Sequence, residues 1–192
     1  MISQPFRHLH ERLRSRTRAL HDDAERALDL ESRLSSIDAY RGLLRSLWQL
    51  HAGYEAAFAA QPWLGSGIDF ERRRRSDMLL TDLSVLGVLT VPSAPPKPPI
   101  RGLFDAIGCL YVIEGSTLGG QIIFQRVRER LGASADGAAS FFRGYGPETG
   151  GMWRELIEAI NVTPAHGAAA DAIEAGARRT FSTFVTSFCG HP

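Results

Sequence analysis

Lysine is almost missing from these 192 residues: Lys97 is the only one, and every other basic side chain apart from histidine is arginine. Together with the many alanines, this bias reflects genome composition rather than function. Cysteine is nearly as scarce. Cys109 and Cys189 lie far apart within helical patterns, a spacing that makes neither a disulfide framework nor a metal-binding knuckle. Such residues suit a reducing cytoplasm, where buried cysteine acts as a small hydrophobe. Charge excess is absent too, since the formal net charge of +1 argues against a general binder of nucleic acid or acidic membranes. No segment alternates as a half-buried strand does, no HExxH occurs, and no cluster of ligand residues has zinc-site spacing. The segment from Met1 to Glu11 lacks the apolar core of a signal peptide. What remains is the expectation of one cytoplasmic domain over residues 1–192, with 44% hydrophobic residues to build its core.

Helical periodicity fills that space. A first helix is expected from about Pro5 to Leu28, with Leu9, Leu13, Leu20, Ala24 and Ala27 on one side. A second follows the N-capping pair Ser35-Ser36 and ends by Gln61-Pro62. A third covers roughly Phe70 to Leu86. Five prolines between Val91 and Pro99 make that segment a stiff connector that cannot be helical. A long helix is expected from Ile100 to Leu131, then a short element near Ala138 to Phe142 and a loop over Arg143 to Pro147. Helices from Thr149 to Ile160 and from a Thr163-Pro164 cap through Phe188 complete an all-α bundle. The stretch Ala106–Phe124 is apolar enough to raise a membrane span, but Glu114 at its centre favours a buried helix of a soluble bundle.

Two features carry chemistry. The long helix contains Tyr111-Val-Ile-Glu-Gly-Ser-Thr-Leu-Gly-Gly-Gln121, and each interior glycine weakens a helix by roughly 1 kcal/mol relative to alanine. Gly115, Gly119 and Gly120 therefore imply a compensating gain: a kink, or close approach to another helix or a flat ligand. The first helix places His21 one turn after Thr17 and one turn before Glu25, with Arg14 two turns upstream. A neutral imidazole can ligate a metal through one ring nitrogen while the other donates to a carboxylate such as Glu25. The alternative is a surface histidine paired with a local acid. A single histidine without further ligands suits a cofactor that brings its own equatorial ligands, of which heme is the common case.

Together these segments resemble the bacterial branch of the heme oxygenase family, over nearly the whole chain. Thr17-x-x-x-His21-x-x-x-Glu25 is similar to that family's proximal helix, and the glycine-bearing segment to its distal helix. The resemblance implies a single-domain helical bundle with a glycine-kinked distal helix, with heme b as both substrate and cofactor. It implies that His21 is the axial iron ligand, Glu25 its hydrogen-bonding support, and Arg14 a propionate contact. It places Gly115, Gly119 and Gly120 on the distal face, the last two nearest the iron, because only glycine lets a backbone lie flat over bound O2. The implied reaction opens heme to biliverdin, CO and ferrous iron. Nothing resembles a flavin or nicotinamide site, so an external electron donor such as a ferredoxin or a reductase is expected.

One departure stands out. Many members carry an aspartate just before the distal glycine pair, where this chain has Ser116. Serine holds a water but stores no charge, so a water network resting on Ser116 and Arg126 is expected instead. Arg178 or Arg179 is open to a second propionate contact or a solvated face. Phe181, Phe184 and Phe188 are open to walling a ligand pocket or to plain core, and Tyr111 to a propionate contact or core. Arg143 and Tyr145 are candidates for a pocket edge. His51 reads as a core-edge histidine, and the run Arg72–Arg75 as a solvated face able to dock an acidic electron donor; His8, His10, His166 and His191 receive no role. The competing reading is a heme-binding or heme-sensing protein with little turnover. Thiaminase-like chemistry would need Cys109 as a thiolate in apolar surroundings, and diiron chemistry would need ExxH ligands that the chain lacks. A plain helical interaction module leaves His21 and Glu25 unexplained.

Overall fold

Within the described residues, 6–90 and 96–189, every regular element of this computed structural model is helical. The order is α1 (Leu9–Leu28), α2 (Leu30–Arg33), α3 (Ile37–Phe58), α4 (Ser76–Val85), α5 (Leu103–Leu131), α6 (Thr149–Asn161) and α7 (Ala168–Phe188). Short 3-10 turns cover Glu71–Arg73, Gly132–Ala135, Phe141–Arg143 and Gly146–Glu148. Ser36 caps α3 as expected, its hydroxyl accepting from the Ala39 N–H at 3.1 Å.

Several boundaries differ from the periodicity, and α1 and α5 begin at Leu9 and Leu103 rather than near Pro5 and Ile100. The expected Phe70–Leu86 helix is broken: Arg74 is extended, and α4 begins only at Ser76. Glu55 causes the break by accepting from the N–H groups of Arg75 and Ser76 at 2.7 and 2.8 Å, which starts a new helix there. Thr163-Pro164 does not cap α7; that role falls to Gly167, at φ 102°, three residues on. The short α2 had no periodic signal of its own. Residues 91–95 of the proline connector, Pro5 and His191 lie outside the described residues, while 96–100 are irregular.

The core has two parts. One gathers Leu9 and Leu13 of α1, Tyr54 and Phe58 of α3, and apolar residues of α5, α6 and α7. The other joins Tyr40, Leu43 and Leu44 of α3 to Leu79 and Leu83 of α4 and to Phe141 and Phe142. Asp82 fixes that aromatic pair, accepting from the Ser140 N–H (2.8 Å), the Ser140 hydroxyl (2.7 Å) and the Phe141 N–H (3.0 Å).

α5 runs without interruption through Gly115, Gly119 and Gly120; the glycine-rich turns come after it, between Gly132 and Glu148. With the turn that follows, α5 is long and apolar enough to cross a membrane, but half of that window is buried in the bundle. Two glycines that the motif does not include set its packing on α7. A Cβ on Gly108 would lie 1.9 Å from the Ile173 carbonyl oxygen, and one on Gly176 2.2 Å from that of Asp105. Each helix thus uses one bare position to admit the other's backbone.

Candidate active site

A cavity of about 680 Å³ lies where the two core regions meet. α1 and α5 form two of its sides, α3 a third, and Phe141-Phe142, Trp153 and the Phe181–Phe184 turn of α7 complete it. Its size falls within the range of small-molecule and cofactor sites, roughly 300–1,000 Å³.

α1 presents Arg14, Thr17, Arg18, His21 and Glu25, one helical face spaced by three and four residues. His21 is 57% exposed by side chain, and its Nδ1 lies 3.8 Å from Glu25 Oε1 and 3.9 Å from Asp22 Oδ1. At these separations neither contact is a hydrogen bond. The ring stands edge-on to Phe181 with centroids 6.0 Å apart. The ligand atoms of His21, Asp22 and Glu25 lie within 4.8 Å of one another, a set able to hold a metal ion, though all three are exposed. Thr17 is buried and donates to the Leu13 carbonyl at 2.7 Å, so its hydroxyl proton serves its own helix.

On α5 the three glycines separate by environment. Gly119 has nothing within 4 Å of where a Cβ would be. Gly115 faces the Trp153 ring at 3.8 Å. Gly120 also borders the cavity, but its Cβ would meet the Phe142 carbonyl oxygen at 2.5 Å, so its bareness serves backbone packing. Ser116 borders the cavity too, its hydroxyl donating to the Ile113 carbonyl at 2.7 Å. Tyr111 packs on Trp153 at 5.5 Å. Burial raises its phenol pKa, and the positive charge of Arg14 partly offsets this.

Other expected residues sit elsewhere. Arg178 does not border the cavity; it donates to the Arg16 carbonyl at 3.1 Å and ties α7 to α1. Arg179 pairs with Asp105. Arg126 pairs with Glu31 at 3.2 Å on the surface, away from Ser116. Phe181 and Phe184 line the cavity, whereas Phe188 packs in the second core region. Arg143 stacks over Phe124 at 4.8 Å. Tyr145 donates to Glu114, a buried carboxylate that also accepts from Arg73 at 2.9 Å.

The arginine run is not a uniform solvated face. Arg72 and Arg74 are exposed, but Arg73 and Arg75 are buried, and Arg75 reaches the cavity. Four identical residues carry no periodicity, so no pattern could separate the inward pair. His51 also borders the cavity, fully enclosed, its ring edge-on to Phe141 at 4.8 Å. Burial, and secondarily the charge of Arg75, hold its pKa well below 6.5. His10, on the rim, is shifted down by burial and then by Arg14.

A histidine on one helix, a bare glycine on another and mainly apolar walls between them enclose a single cavity in an all-α protein. The chain belongs to the heme oxygenase family of oxidoreductases. The family profile described as Heme oxygenase matches residues 103–189. A heme oxygenase from Xanthomonas campestris pv. campestris (strain 8004) is 37% identical over 154 residues, which make up 78% of this chain and 88% of that protein. The fold matches that of the NO- and CO-bound heme oxygenase from Neisseria meningitidis with a TM-score of 0.79 and 23% identity, over 94% of this chain and 90% of that one.

Proposed function

We propose that the protein opens heme b to biliverdin, CO and ferrous iron, using O2 and electrons from a separate donor such as a ferredoxin or a reductase, in the cytoplasm. The observation that carries the reading is the pairing of His21 with the unobstructed Gly119 on different helices of one cavity. Bound heme would supply the iron that activates O2 and the porphyrin edge that is oxidised.

The chain's own residues have narrower tasks. His21 would hold the iron through Nε2, and the carboxylates of Glu25 and Asp22 near Nδ1 favour one ring orientation. Arg14 and Arg18 border the cavity where α1 is exposed, the position for meeting propionates. Gly119 leaves room for a diatomic molecule where any side chain would intrude. Ser116 Oγ, its proton directed to Ile113, keeps acceptor capacity and so orients a water without donating to it.

The test is a hemin titration of the wild type and His21→Ala, followed by aerobic turnover with ascorbate or ferredoxin. A sharp Soret band altered in the variant, decaying to a biliverdin spectrum in the wild type, is the expected result. Binding without ring opening would instead mark a heme-binding protein of the same fold, and absence of specific binding would remove the heme reading.

A further inference from the structure

Among the described residues Arg75 is a cation without a counter-ion. The bonds from its N–H and that of Ser76 to Glu55 fix the main chain at the start of α4, and the side chain reaches the cavity. The residue is 3% exposed, and neither Nε nor Nη2 has a hydrogen-bond partner. No carboxylate among the described residues forms an ion pair with it. Glu55 is already engaged by two N–H groups and the Ser76 hydroxyl, and its nearest guanidinium is that of Arg74, at 3.8 Å.

Arg75 has two aromatic faces instead. Its guanidinium carbon lies 4.6 Å from the Phe141 centroid and 5.4 Å from that of Tyr145. Such contacts engage the π surfaces of a guanidinium and leave its in-plane N–H donors for something else. They also recover only part of what burial of a lone charge forfeits. Two further polar groups border the same cavity. Thr117 Oγ1 is buried without a partner, and His51 shares the Phe141 ring and is held neutral.

We propose that this buried wall of the cavity is a binding site for a small monovalent anion of the azide, formate or chloride class. Arg75 holds it through its in-plane N–H groups, and the Thr117 hydroxyl adds a donor. One unpaired positive charge compensates one negative charge. The neutral His51 adds no second positive charge, and Phe141 beside Arg75, like the Leu47 and Ile113 that line the same cavity, offers nothing to solvate a dianion. The site lines the same cavity that is assigned to heme above; it belongs to the heme-free chain and does not depend on that reaction.

The experiment uses heme-free protein titrated with sodium azide at constant ionic strength, with gluconate as the balancing anion. In the wild type the infrared spectrum should show a second azide stretching band that saturates, and the melting temperature should rise along the same one-site curve. Arg75→Met should lose the band and weaken the affinity about tenfold or more, the effect of one charge-assisted hydrogen bond. Arg74→Met, changed at the exposed neighbour, should keep both responses. Arg75→Lys, which retains the charge, should shift the band and the affinity together, so the proposal is decided even if the methionine variant does not fold. A wild type with free azide alone, or an Arg75→Met protein with an unchanged band, overturns it.

Discussion

Arg73 donates to Glu114 across 2.9 Å at a place where neither side chain reaches solvent, with exposures of 2% and 1%. The same guanidinium donates to the Met152 carbonyl, and Tyr145 donates to the other Glu114 oxygen. One carboxylate thereby joins the 3-10 turn before α4, the middle of α5, the start of α6 and the turn before it.

Removing one member leaves an uncompensated charge indoors. Glu114→Ala is expected to destabilise the protein by roughly 3–5 kcal/mol, whereas the double variant Arg73→Met/Glu114→Met should recover most of the loss. Urea unfolding of the two singles and the double measures this. A single-variant loss below about 1 kcal/mol would contradict a buried pair.

The adjacent glycines should separate in their effects. Gly120→Ala brings a methyl group against the Phe142 carbonyl and is expected to destabilise by about 1–3 kcal/mol. Gly119→Ala meets nothing and should stabilise α5 by up to about 1 kcal/mol, yet weaken hemin binding or ring opening. Thermal melts beside hemin titrations distinguish them; equal melting temperatures would refute the assignment.

Glu25 lies beyond hydrogen-bonding distance from His21 and is itself exposed. Glu25→Gln is therefore expected to lower hemin affinity by no more than about tenfold, the lower end for a partner of a metal ligand. His21→Ala should do far more. A Glu25→Gln loss as large as that of His21→Ala would show a tighter coupling in solution.

His51 gives a pH signature. Its folded pKa lies well below the ordinary 6.5, so between those values the unfolded chain binds a proton that the folded chain does not. Stability should fall as pH drops below 6.5, with a contribution of at most about 1.4 kcal/mol per pH unit. His51→Leu should flatten that part of the profile. Denaturant midpoints from pH 7 to pH 5 measure it, and parallel profiles for the two proteins would rule the effect out.

Much of this is legible in the sequence itself. Apolar spacing located α1, α3 and α6 because each buries one face of a regular helix, and α5 showed as an apolar run because Asp105 to Glu114 are buried all round. The α1 face carrying Thr17, His21 and Glu25 does border the cavity. Long-range pairing was not legible. Arg178 reads like any helical arginine until the Arg16 carbonyl beneath it is seen. Arg75 stands in a run of identical residues, and its direction is set by Glu55, twenty residues earlier in the chain. Gly108 and Gly176 are single glycines in helical surroundings, and only the α5–α7 contact gives them a purpose.

α5 is seated on bare backbone at two points, on Ile173 through Gly108 and on Phe142 through Gly120. Between those seats it spans the cavity like a lintel. Its height is a fixed dimension, because carbonyl groups rather than adaptable side chains set it. Exchanging wall residues such as Leu47 or Phe184 can redraw the outline of an acceptable guest. How thick that guest can be is decided by two missing methyl groups.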